Sequence, residues 1–161
     1  MKISLNIRRI FLFTVLFISS SVSRCQVYKY IGLENGLSNQ KIYYIQKDRR
    51  GYMWFLTQEG VDRYDGKYIK HYNFSDDSIK LDSRIALNWL YMDSGNILWV
   101  IGQKGRIFRY DSQHDKFELA YVHPELIRNK PQAFLNYGYL DKNDRIWLCY
   151  KDSITWYDIR T

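Results

Sequence analysis

One spacing recurs three times along this chain and decides its fold. Asp48, Asp93 and Asp141 each stand six residues before Trp54, Trp99 and Trp147. A Tyr-Asp pair follows each tryptophan after ten or eleven residues, at Tyr64-Asp65, Tyr110-Asp111 and Tyr157-Asp158. An aromatic residue precedes each aspartate by four, at Tyr44, Trp89 and Tyr137. The tryptophans are 45 and then 48 residues apart. Self-similarity at that period is the mark of a repeat architecture, each repeat being one supersecondary unit that buries its apolar face against the next.

Within a repeat the residues read as short strands. Segments such as MWFL, RIFRY and ITWY are aromatic and branched over four to six positions, as half-buried strands require. No helical i, i+3, i+4, i+7 pattern is sustained. Three residues after each aspartate come Gly51, Asn96 and Asp144, the residue types that best tolerate positive φ in a turn. Gly60, Gly105 and Ser153 mark a second turn six residues after each tryptophan. The prediction is an all-β, partial β-propeller of three antiparallel blades, approximately 42–72, 87–119 and 135–158. The first two have four strands and the third stops after its third. The connections 73–84 and 122–133 are polar or contain the two prolines, Pro124 and Pro131, as sheet connections should. Val27–Ile31 (VYKYI) is read as a leading strand.

The beginning of the chain has a different character. Lys2, Arg8 and Arg9 precede the apolar run Ile10–Ile18, and small residues follow from Ser19 to Ser23. That order of basic, apolar and small segments is a cleavable signal peptide, expected to span residues 1–25. Nine apolar residues are far short of the ~20 that cross a bilayer as a helix. Arg24, directly before Cys25, argues against a lipid-modified cysteine. The expected mature chain is therefore 26–161, in the periplasm. Removal of four cations leaves 20 basic against 17 acidic residues, a net +3 instead of the +7 of the whole sequence. Nucleic-acid binding loses its main support. Cys149 then has no partner for a disulfide and is read as a small buried hydrophobe.

The chemistry-bearing residues do not assemble into a catalytic motif. His71, His114 and His123 lack metal-ligand or phosphorelay spacing and are read as surface or loop residues. Ser38 has no GxSxG context, and there is no glycine-rich phosphate loop. Asp76, Asp77 and Asp82 lack the glycine turn and terminal glutamate of a calcium loop. No catalytic, metal or cofactor site is predicted, and ligand-binding residues are left unassigned. The repeated tryptophans and tyrosines suit packing between blades better than a sugar-binding array, since each recurs at one structural position. The middle blade alone has neighbours on both sides, so Trp99 is expected to matter most for stability. Asp48, Asp93 and Asp141 are expected to bond turn amides.

Gly36-Leu37-Ser38-Asn39, then Asp48–Phe55 (DRRGYMWF), then Thr57–Gly66 (TQEGVDRYDG) resemble the two-component regulator propeller repeat. The resemblance runs through residues 27–158, and the third repeat departs most, with Asp144, Tyr150 and Ser153 at positions usually small. It implies the N-terminal periplasmic sensor region of a hybrid two-component histidine kinase in glycan-degrading Gram-negative bacteria. In such proteins many repeats precede a membrane span, a kinase and a DNA-binding receiver. The chain is accordingly expected to be an opening fragment of such a sensor, or a truncated gene product. It is expected to have no catalysis of its own and to act with the remaining blades and domains as partners. Two other readings stay open: a carbohydrate-binding propeller formed by self-association through exposed blade edges, and a propeller-fold enzyme. The acids fall mostly in turns, which counts against the enzyme.

Overall fold

A computed structural model describes residues 28–74, 87–122 and 135–160. The expected signal peptide, His123, both prolines and Asp76, Asp77 and Asp82 lie outside them. The chain divides into two units, Met1–Tyr30 and Ile31–Thr161. In the first, residues 28–30 carry no regular structure, and Tyr28 and Tyr30 are exposed. The expected leading strand 27–31 is thus corrected over its described residues: 28–31 are not in a strand. Alternating aromatic composition does not make a strand unless a neighbouring edge supplies the ladder.

The second unit is three separate antiparallel sheets in chain order. The first has the order β1 (Ile42–Lys47), β2 (Met53–Thr57), β3 (Gly60–Tyr64), β4 (Ile69–Tyr72). The second is β5 (Leu87–Met92), β6 (Leu98–Gly102), β7 (Arg106–Asp111), β8 (Lys116–Val122). The third has three strands, β9 (Leu135–Leu140), β10 (Arg145–Tyr150) and β11 (Ile154–Asp158). This is the expected set of blades, with β8 running three residues further than the repeat suggested. Among the described residues the remaining regular structure is two short 3₁₀ turns, Leu33–Asn35 and Gln103–Gly105. No helix among them is long and apolar enough to cross a membrane.

The blades stack face to face, and the side-chain period of two shows how. In β6 all five residues are buried, because both faces of that sheet are covered. Leu98 and Val100 join Trp54, Leu56, Val61 and Tyr72 in one core between the first two blades. Trp99 and Ile101 turn the other way, to Ile146, Leu148 and Tyr150 of the third. In β10 burial strictly alternates, since among the described residues only its inner face is covered by another blade. Cys149 falls on the outer face beside Trp147 and is only half-buried, which corrects its reading as a core residue.

Candidate functional site

Each first hairpin is closed by the aspartate of the repeat. Trp54 Nε1 donates to Asp48 Oδ2 at 3.1 Å, Trp99 Nε1 to Asp93 at 2.8 Å and Trp147 Nε1 to Asp141 at 2.8 Å. The other carboxylate oxygen accepts a turn amide, from Tyr52 at 3.0 Å, Ile97 at 2.7 Å and Arg145 at 3.0 Å. The expected turn bonds are present, and the six-residue spacing has a second cause. An indole buried between blades must find an acceptor for its N–H. The Trp147 bond, outweighing what desolvation there is, holds the Asp141 carboxyl below its ordinary range.

The turns also join successive blades. The amide of Arg49 donates to Asn96 Oδ1 at 2.8 Å, and the amide of Ser94, at the same position one blade on, donates to Asp144 Oδ1 at 3.1 Å. Asn96 and Asp144 have φ of 66° and 57°, so they supply both the left-handed turn and an acceptor. Only the first of these roles was legible in the sequence.

Between the first two blades lies a charged hub. Asp115, in the β7–β8 turn, accepts from Arg63 Nη1 at 2.8 Å, Lys70 Nζ at 2.5 Å, and the hydroxyls of Tyr72 and Tyr110 at 2.6 and 2.5 Å. Burial disfavours its charge, but the donors of Lys70, Tyr110, Tyr72 and Arg63 outweigh that and hold the carboxyl well below the usual carboxylate range. The Arg63 guanidinium also lies over the rings of Tyr52 and Trp54. This hub is a blade-to-blade tie in which Arg63 and Lys70 share the one carboxylate of Asp115.

The Gly36–Asn39 segment packs on the opposite face of the first blade. Gly36 takes φ 97° to end the 3₁₀ turn, Leu37 is buried, and Ser38 donates from both its amide and its hydroxyl to Asp62 Oδ2, each at 2.8 Å. Asp62 is fully buried, and His71 Nδ1 lies 2.6 Å from its other oxygen. His71 is therefore half-buried in a network and not a solvated surface residue, which corrects that reading. His114 is exposed beside Asp111, as expected. A serine, a histidine and an aspartate meet here, but in the wrong order for acyl transfer. Ser38 bonds the carboxylate, and His71 Nε2 lies 2.6 Å from Asn73 Oδ1; a nucleophile needs its hydroxyl on the base. Among the described residues no three His, Cys, Asp or Glu side chains are grouped to hold a metal ion.

Two aromatic surfaces remain. The first strands of the blades bring Tyr44, Tyr137 and Tyr139 within electrostatic reach of Tyr91. Burial first, then those neighbours, raise the Tyr91 hydroxyl above the ordinary phenol range, and it donates to the Gly138 carbonyl at 2.6 Å. Tyr91 and Tyr139 lie outside the repeated offsets and were missed. The second surface is the outer face of the third sheet, where Trp147 pairs with Trp156 on β11 and Tyr139 on β9. Trp54 and Trp99 are buried against neighbouring blades, so for them packing is the correct account and sugar stacking is not.

Comparison with known proteins agrees with this architecture. Residues 36–59 match the family model described as two component regulator propeller. The extracellular domain of a putative hybrid two component system from B. thetaiotaomicron superposes with TM-score 0.61 and 26% identity over 82% of this chain. The extracellular domain of a putative one component system from the same organism gives TM-score 0.62 and 16% identity over 87%. Virginiamycin B lyase from Staphylococcus aureus shares the fold at TM-score 0.52 and 18% identity, over 78% of this chain and 44% of that one. No curated protein sequence matches the chain. The chain spans 19% and 18% of the two B. thetaiotaomicron domains. The matched repeat covers the Ser38 segment and the first Asp–Trp hairpin, and the same hairpin recurs in the next two blades: this chain carries a two component regulator propeller repeat and is similar to the extracellular domains of such systems.

Proposed function

We propose that these blades are part of the extracellular, periplasmic sensing propeller of a two-component regulator, where they bind and transmit without catalysing a reaction. The carrying observation is the 26% identity to an extracellular domain of that system class, together with the propeller repeat at residues 36–59. The geometry supports the same reading. The repeated aspartates are spent on turns, Asp115 on a blade-to-blade tie, and Ser38 and His71 are each committed to Asp62. A larger propeller is the natural setting, because the outer face of the third sheet exposes Trp156, Tyr139 and Ile154 beside the Arg145–Asp158 pair. A carbohydrate is the ligand class we assign to the exposed tyrosines, whose rings stack on sugar faces while their hydroxyls bond sugar oxygens.

The test is transcriptional. In the source bacterium, in-frame deletion of the codons for residues 42–158 should abolish the response of the regulator's target genes to its inducing glycan. A response of unchanged size would contradict a sensing role.

A further inference from the structure

The repeat does not account for Asp115. In the first blade Tyr64 pairs with Ile69, five positions on, whereas in the second Tyr110 pairs with Phe117, seven positions on. Asp115 stands in that longer turn at φ 51°, a left-handed conformation that suits glycine better. Ser112, Gln113 and His114 before it are exposed. The groups that receive its carboxylate are not repeated either. Arg63 and Lys70 are cross-strand partners on β3 and β4, where the second blade has Arg109 opposite Glu118.

The cage is held in place without the carboxylate. The Arg63 guanidinium lies 4.8 Å from the Tyr52 ring, 5.5 Å from Trp54 and 5.6 Å from Tyr72, and Lys70 Nζ lies 4.9 Å from Tyr72. Aromatic faces of this kind fix a guanidinium. Arg63 Nη1 also donates to the Tyr110 hydroxyl at 2.7 Å. Asp48 and Asp65 of the same blade close their own turns. Two cations and two phenol hydroxyls thus converge on one carboxylate that is 38% exposed, beside a lysine that is 48% exposed. We propose that this cage is an oxyanion-binding site, in which Asp115 is the resident anion and the carboxylate or sulfate of a ligand takes its place. Guanidinium, ammonium and phenol donors bind such groups by charge-assisted hydrogen bonds. A carboxylate tethered on a short turn acts at an effective concentration on the order of millimolar, so a free anion in large excess competes with it. Exchange frees the β7–β8 turn from the first blade, and ligand binding becomes a change in the contact between two blades. The site is separate from the exposed tyrosines and does not depend on a carbohydrate occupying them.

The experiment uses the full chain and Asp115→Gly, which empties the cage and suits the left-handed turn. Sodium acetate and sodium sulfate are titrated against sodium chloride at matched ionic strength, with the melting midpoint as the reading. In chloride Asp115→Gly should melt below the unsubstituted chain, and acetate or sulfate should restore it along a saturating curve. Rescue by both defines a general oxyanion site, and rescue by one alone defines its preferred group. Adding Lys70→Met and Tyr72→Phe to Asp115→Gly leaves only the general effect of salts on folding, with no saturable rescue. A second measurement needs no variant to fold. In the unsubstituted chain, excess acetate or sulfate should speed hydrogen exchange at 113–116 several-fold over chloride, with β2 and β3 unchanged. Absence of rescue in a folded Asp115→Gly overturns the proposal, as does equal rescue when Lys70 and Tyr72 are replaced. Exchange at 113–116 that ignores both oxyanions makes Asp115 a fixed tie and overturns it too. None of these readings enters the transcriptional test, so the sensing role and this site fail separately.

Discussion

One carboxylate, Asp48, holds both the indole nitrogen of Trp54 at 3.1 Å and the turn amide of Tyr52 at 3.0 Å. It is the clasp on which each blade is built. Asp48→Ala leaves a buried indole N–H and a turn amide unpaired, which costs about 1–3 kcal/mol. Asp48→Asn keeps an acceptor and should lose less. Urea melts with an unchanged midpoint for Asp48→Ala would show that the ring does not depend on this bond.

The Asp115 hub makes a pH prediction. A carboxyl held below its unfolded value stabilises the fold at pH above about 3.9, and the contribution is lost as pH falls through and below that value. Asp115→Asn should therefore lower the melting temperature at pH 7, and the difference from the unsubstituted chain should shrink as pH falls toward 3. Its side chain is 38% exposed, so solvent screens the effect and added salt should reduce it. A difference independent of pH would contradict the assignment.

Gly138 fixes the approach of the second and third blades. A Cβ there would stand 2.9 Å from Ile101 Cδ1 and 3.2 Å from Trp89 Cε3. Gly138→Val should cost about 1–3 kcal/mol by overpacking. Hydrogen exchange should accelerate in β9–β11 more than in β1–β4; uniform acceleration would mean that the residue does not act at this interface.

Ser38→Ala removes one of two donors that Ser38 offers to the buried Asp62 carboxylate, and a hydrogen bond to a charged group contributes about 1.5–3 kcal/mol. Faster exchange at Ser38 and in β3, measured by hydrogen exchange, is the expected result. Unchanged exchange would separate the Gly36–Asn39 segment from the stability of the blade.

The blades were legible because their signals are local. An aspartate, a turn residue and a tryptophan within seven positions close one hairpin, so three copies of that spacing place three sheets. What was missed is what depends on distant partners. Asp62 looks like a surface charge until Ser38, 24 residues away, closes over it. Asn96 and Asp144 read as turn formers, while their acceptor role requires the amide of another blade, 47 and 50 residues away. Cys149 lies in an apolar run, but a strand covered on one face buries only alternate residues, and it has the other parity. The ranking of Trp99 above Trp54 is also revised. Position in the stack matters less than the cluster of Tyr72, Tyr110 and Phe117 that surrounds Trp54, so Trp54→Ala should cost at least as much as Trp99→Ala, about 3–5 kcal/mol.

The central claim is that one Trp-to-Tyr step joins each blade to the next, and double-mutant cycles on denaturant stability test it most directly. Trp54 with Tyr110, and Trp99 with Tyr157, should each show a coupling of about 0.5–1.5 kcal/mol. Trp54 with Tyr157, two blades apart, should be additive. Additivity in the first two pairs would contradict the stacked-blade account.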